Sequence, residues 1–244
     1  MYPQDGIDGD QHTMYDGIHG FGAFAAASPL CFEPREKGVN GSFAGMRVVI
    51  NGPRNLHPED RKIVFSKMVE VLRDRPAEVI IGGARGVDTA AFIACAKMKH
   101  ADNDFWNFKL TVVLPGHLGE APPEFCDALR ASQLIVNGQG RYAVALVELS
   151  QDVSHPASYY ARNAVMLGRA GWSATCAVLL SFTPNGETSD ATMAMLEMAR
   201  RERVRVVEEP VRIFPEAGPG ASGRAPSVAD DANVEEDADA PGTR

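Results

Sequence analysis

Apolar residues along the middle of this chain follow two alternating rhythms. Short apolar runs of strand length occur at Met46 to Ile50, Val79 to Ile81, Leu110 to Leu114, Ala143 to Leu149, Cys176 to Phe182 and Val204 to Val207. Between them the spacing changes to that of helices. Val64, Met68, Val71 and Leu72 recur three and four apart behind Pro58, a favoured first-turn residue, with Glu59 and Asp60 matched to the helix dipole. Further helices are expected from about Val87 to Met98, after Pro122-Pro123, from Ser158 to Leu167, and from about Ser189 to Arg201. Strands alternating with helices, with no internal repeat, predict an α/β fold: a doubly wound, mostly parallel, Rossmann-like sheet with helices on both faces.

The ends of the chain lack this pattern. Residues 1–44 are rich in Gly, Asp and Ala without a period and are expected to form a flexible leader, unless Phe21, Phe24 and Phe32 pack on the domain. Residues 215–244 hold Pro, Gly, Ala, Ser and acids with almost no large apolar side chain, so they are expected to be a disordered acidic tail. The domain is thereby assigned to 45–214.

Charge sharpens this division. The net charge of the 244 residues is −8. Six acids against two bases in 1–44 give −4, seven against two in 215–244 give −5, and 20 bases against 19 acids in 45–214 give +1. The middle can hold an anion locally but is not a generally basic surface, which argues against strong nonspecific nucleic-acid binding. No apolar run reaches the roughly 20 residues that span a bilayer, and the polar, acidic N-terminus does not read as a signal peptide. A cytoplasmic protein with no membrane partner is expected. Cys31, Cys95, Cys126 and Cys176 form no C-x-x-C pair, and the six histidines have no ligand spacing, so neither a metal site nor a cofactor is expected.

The candidate chemistry lies where strands meet helices. Ile80 and Ile81 run into Gly82-Gly83-Ala84-Arg85-Gly86 and then into the helix that begins Val87-Asp88-Thr89-Ala90-Ala91. A glycine-rich turn at a helix N-terminus leaves backbone N–H groups free for an anion, and Arg85 adds a positive fork suited to phosphate oxygens. A bare glycine pair can equally be only a tight turn. The first strand ends in a second loop of similar kind, Asn51-Gly52-Pro53-Arg54-Asn55, and in parallel sheets ligands collect at the carboxyl ends of strands. A third turn, Pro184-Asn185-Gly186-Glu187-Thr188-Ser189, precedes the last helix; Thr188 could cap that helix or meet a ligand. Arg162 and Asn163 could reach an anion and a base or ribose edge, or be a surface arginine and a capping asparagine. Phe105, Trp106 and Phe108 could stack on bases or plug the sheet edge.

Taken in order, these segments resemble the SLOG superfamily of Rossmann-like domains, which includes the DNA-processing protein A (DprA/Smf) family, the Lonely Guy (LOG) phosphoribohydrolases and stand-alone nucleotide-binding members. Gly82 to Ala91 is similar to the G-G-A-R-G-[IVA]-D-x-x-A loop, Val48 to Arg54 to the first strand and its G-S-R turn, with Pro53 in place of the serine, Val112 to Gly116 to the third strand, and Arg162 to Leu167 to the R-N-x-x-[IM] segment. The resemblance covers about 46–210. In the DprA branch it implies binding of single-stranded DNA phosphates by Gly52, Arg54, Gly82, Gly83, Arg85 and Gly86; in stand-alone members it implies a nucleotide or nucleotide derivative, with Asp88 shaping the loop or touching the ligand. Thr89, Arg162, Asn163, Gly186 and Thr188 complete the candidate binding set. The P-G-G-x-G-T-x-x-E loop of the LOG enzymes is absent, and no winged-helix extension is recognised after 214. The reading is therefore a non-enzymatic binding domain for a nucleotide-type ligand or single-stranded DNA, with a homodimer open. The alternative is a LOG-like phosphoribohydrolase acting on nucleoside monophosphates through Glu187 or Asp190.

Overall fold

The computed structural model describes residues 42–101, 108–172, 174–184 and 190–214. Seven strands form one sheet among these residues: β1 (Arg47–Asn51), β2 (Glu78–Ile81), β3 (Lys109–Leu114), β4 (Ile135–Val136), β5 (Ala143–Glu148), β6 (Ala177–Pro184) and β7 (Arg205–Val211). Their order is β4-β5-β3-β2-β1-β6-β7, and every strand pairing is parallel. Five helices connect them: α1 (Arg61–Arg73), α2 (Val87–His100), α3 (Pro123–Ala131), α4 (Pro156–Ala170) and α5 (Asp190–Arg201).

The apolar runs form strands because both faces of the sheet are covered, so neither side of a central strand needs polar residues. On one face Val48, Ile50, Val79, Ile81 and Val112 pack against α1, α2 and α3, with Phe92 and Phe125 at the centre. On the other, Val49, Ile80, Val113 and Leu179 pack against Met166 and Leu167 of α4 and Met195 and Leu196 of α5. The alternation within each strand sends successive side chains to opposite cores. The chain winds outward from β1 through β5 with helices on the first face. It then crosses back along α4 to β6, beside β1, with helices on the second.

The structure extends or shifts several predicted elements. Pro58–Asp60 is a single 3-10 turn whose N-cap, His57, accepts a hydrogen bond from Glu59 N; the α-helix proper begins at Arg61. β4 has no counterpart among the predicted strands: its two residues, both exposed, carry no periodic signal. β7 continues to Val211 through Glu208-Glu209-Pro210, because β6 offers a pairing partner along its whole length. Packing also reaches into the segment assigned to the leader. Phe43 is buried in the core, and its N–H donates to Asp74 Oδ2 at 2.9 Å. Residues 1–41 of the leader, the acidic tail, the aromatics Phe105 and Trp106, and Gly186, Glu187 and Thr188 lie outside the described residues; Phe108 is buried under the Lys99 ammonium. No described helix is long and apolar enough to cross a membrane.

Candidate functional site

β1 and β2 are neighbours, so the two glycine loops emerge side by side at the carboxyl edge of the sheet. They are locked together. Val87 N, the first N–H of α2, donates to Pro53 O at 3.1 Å. Gly86 adopts φ +76°, and a Cβ there would lie 2.5 Å from both Pro53 O and Arg54 O. A Cβ on Gly52 would strike the Val87 side chain, and one on Gly82 would meet Asp88 Oδ2 and the Arg162 guanidinium. One on Gly83 would meet Leu114, at the end of β3. The glycines thus let protein approach protein: they weld the two loops and the end of α2 into one body.

Four of the candidate residues lie beneath this surface. Asp88 Oδ2 accepts from Ala84 N at 3.1 Å, and Thr89 Oγ1 donates to Ala84 O at 2.8 Å, so both first-turn side chains of α2 hold the glycine turn. Arg162 comes from α4 across the sheet. Its Nη1 donates to Gly82 O at 3.1 Å and stands 3.6 Å from Asp88 Oδ2. Its Nε and Nη2 donate to Asn163 Oδ1, while Asn163 Nδ2 donates to Ala191 O at 3.2 Å. Burial pushes the Asp88 carboxyl up and the Arg162 guanidinium down, and each is opposed by the charge of the other. Spacing along the sequence puts these residues near the site, but their polar atoms turn inward. α4 is itself started by His155, whose ring accepts from Ala157 N at 3.2 Å, and by Pro156.

The exposed face of the same body is cationic. Arg54 and Arg85 are both exposed, and neither forms a salt bridge with a carboxylate among the described residues. Arg54 lies over the Tyr159 ring with Cζ 3.8 Å from its centroid, which holds the guanidinium in place without neutralising it. The backbone N–H groups of Arg85 and Gly86 donate to no acceptor among the described residues. A cleft opens between these loops, the β3–α3 connection and the start of α4, lined by Arg54, Gly82 to Arg85, Leu114 to His117, Glu120 to Pro122, Val153, Tyr159 and Arg162.

On the opposite wall the resemblance reaches only Val112 to Gly116, and no motif marks His117 or Glu120 in the sequence. Pro115 and Gly116 follow β3 into a 3-10 turn at Leu118–Glu120, where Glu120 Oε2 accepts from His117 N at 2.8 Å. Glu148, at the end of β5, accepts from Leu118 N and lies 3.7 Å from His117 Nδ1. For His117 and Glu120 the one signal is the rule that ligands gather at strand carboxyl ends, which applies to β3 as well. At the topological switch between β1 and β6 the described residues are closed by Asn51, whose Nδ2 donates to Ser181 Oγ at 3.1 Å and Thr192 O at 3.3 Å. The cleft therefore sits to one side of the switch, over β2 and β3. Asp190 opens α5, is exposed, and does not line it.

No protein-family model and no curated protein sequence matches the chain. Among solved structures, it is similar to DNA processing protein A from Helicobacter pylori, characterised for its single-stranded DNA binding mode. That likeness has 16% identity and a TM-score of 0.46, covering 69% of this chain and 67% of that one. It is also similar to DNA processing protein A (DprA) from Streptococcus pneumoniae, at 16% identity and a TM-score of 0.38, covering 66% of this chain and 58% of that one.

Proposed function

We propose that the cleft binds a phosphate-bearing nucleotide or nucleotide derivative without turning it over. The observation that carries this reading is the pair Arg54 and Arg85: two exposed guanidinium groups on mutually locked loops, neither in a salt bridge among the described residues. Guanidinium forks match phosphate oxygens, and the N–H groups of Arg85 and Gly86 at the head of α2 add donors of the same sense. Gly52, Gly82, Gly83, Asp88, Thr89, Arg162 and Asn163 serve as positioning residues, holding the two loops in register.

Binding is favoured over hydrolysis. Cleavage of an N-glycosidic bond needs a carboxylate free to activate water or stabilise the ribosyl cation. Among the described lining residues the one carboxylate is Glu120, and its Oε2 is engaged by His117 N–H. A small ligand is favoured over single-stranded DNA because residues 45–214 carry 20 bases against 19 acids, so the cleft offers two arginines and not an extended basic groove that could neutralise successive phosphates.

Titration with AMP and with a fluorescently labelled oligothymidylate at several salt concentrations tests the reading. For a single nucleotide, one or two phosphates are neutralised and affinity varies weakly with salt. For a single strand, log affinity falls against log salt with a slope of about −0.7 per phosphate contacted. Tight oligonucleotide binding with a steep slope would replace the nucleotide by DNA. Release of free adenine from AMP would restore the phosphoribohydrolase.

A further inference from the structure

The end of the described chain lies against the arginine loop. After β7, residues 212–214 run antiparallel to residues 55–57. His57 N donates to Arg212 O at 3.0 Å, Leu56 bridges Ile213, and Phe214 N donates to Asn55 O at 2.9 Å. The Phe214 ring lies 4.6 Å from that of His57. Each step along 212–214 moves one residue back along the first loop, so at Phe214 the chain is beside Asn55 and heading toward Arg54. Beyond Phe214 the chain continues as residues 215–244, with seven acids and two bases; six of those acids fall between Asp230 and Asp239.

We infer that residues 215–244 dock on the Arg54–Arg85 face of the cleft and compete with its anionic ligand. Charge complementarity selects this face over the cations closer to hand. Arg212 is held by Asp60 and Glu59, and Arg61 by Glu124 at 3.0 Å, so both are already neutralised, whereas Arg54 and Arg85 are not. Reach is ample: the 16 residues from Phe214 to Asp230 span up to about 55 Å when extended, and the tether starts one residue from Arg54. A tethered segment acts at an effective concentration on the order of millimolar, enough for a weak carboxylate–guanidinium contact to fill the cleft when ligand is scarce. The inference rests on the same two arginines as the proposed function, but it needs no nucleotide.

The test compares two full-length chains, the parent and one carrying D230N, D231N, E235Q, E236Q, D237N and D239N. A labelled peptide of residues 225–244 is titrated into the neutralised chain, followed by fluorescence anisotropy, with and without R54A/R85A. Both arginines are exposed, and an unchanged melting temperature of the double variant shows that the fold is intact. The peptide is expected to bind at about 50 mM salt, to be released as added salt shortens the screening length, and to lose binding in R54A/R85A. Failure to bind, or binding that survives R54A/R85A, overturns the docking. AMP is then titrated into both chains. The neutralised chain is expected to bind it about tenfold more tightly, the ratio given by a millimolar effective concentration against a tail affinity of about 0.1 mM; equal affinities overturn the competition. AMP binding to neither chain while the peptide still binds would sink the proposed function and leave the docking in place.

Discussion

Arg162 and Asp88 meet beneath the glycine turn, 3.6 Å apart, although one comes from α4 on one face of the sheet and the other from α2 on the opposite face. The guanidinium also reaches Gly82 O, at the end of β2, so this single side chain ties both helices to the strand end that carries Arg85. Removing it leaves Asp88 buried without a counter-charge. Truncating one member of a buried pair costs about 3–5 kcal/mol. Arg162→Ala is therefore expected to lower stability by that amount in urea unfolding, and Asp88→Asn by a comparable amount because it leaves the buried Arg162 guanidinium without its counter-charge. A loss below about 1 kcal/mol would place Arg162 among exposed ion pairs instead.

Arg85→Ala should behave in the opposite way. The side chain is exposed and makes no ion pair with the rest of the described fold, so thermal unfolding should be unchanged. Nucleotide affinity should fall by about 1.5–3 kcal/mol, the usual worth of a charge-assisted hydrogen bond. Isothermal titration calorimetry measures this directly, and an unaltered affinity would remove Arg85 from the phosphate site.

Gly86→Ala should damage both properties. The left-handed backbone at φ +76° costs a Cβ-bearing residue about 1–3 kcal/mol, and the added carbon would strike Pro53 O and Arg54 O. Gly45 gives the control. Its φ is +67°, but no atom lies within 4 Å of a Cβ there. Gly45→Ala should show the conformational cost alone, with ligand affinity retained, whereas Gly86→Ala should separate the loops and weaken binding.

Acid should loosen the closure between the first loop and the chain end. Hydrogen bonds from Arg212 hold the Asp60 carboxyl below its ordinary value of 3.8. A carboxyl depressed by folding stabilises above its unfolded value, and that contribution disappears as pH falls through the folded one. The stability difference between the parent and Asp60→Asn should therefore be full near neutrality and shrink below pH 3.8. Chemical denaturation at two pH values measures it; a difference that does not shrink would mean that shape rather than charge makes Asp60 matter.

The sequence discloses strand and helix wherever burial imposes a period. The runs at Val48, Ile80, Val112 and Leu179 are apolar because helices cover both faces, and the structure places each in the sheet. β4 is silent because Ile135 and Val136 are exposed and pair only with β5. At the site, spacing puts Asp88, Thr89, Arg162 and Asn163 beside the glycine turn but does not give their direction. Whether a polar side chain points to ligand or to backbone depends on what the opposite face of the sheet delivers, and Arg162 arrives from there. His117 and Glu120 are invisible to the pattern because a polar loop after a strand has no period. Their place in the cleft comes from β3 standing next to β2.

The weld between the two glycine loops has a kinetic meaning. Because Val87 N is bonded to Pro53 O and Gly86 is pressed against the Arg54 carbonyl, the stems of Arg54 and Arg85 cannot drift apart independently. The binding face is a fixed gauge: capture must order two side chains, each carrying about 2 kcal/mol of rotamer freedom, and no length of backbone. Such a face accepts anions whose oxygens match its span and rejects others by misfit. With the acidic tail neutralised, capture should be limited by encounter, without a slow rearrangement phase, and the backbone of the two loops should be the same before and after the ligand arrives.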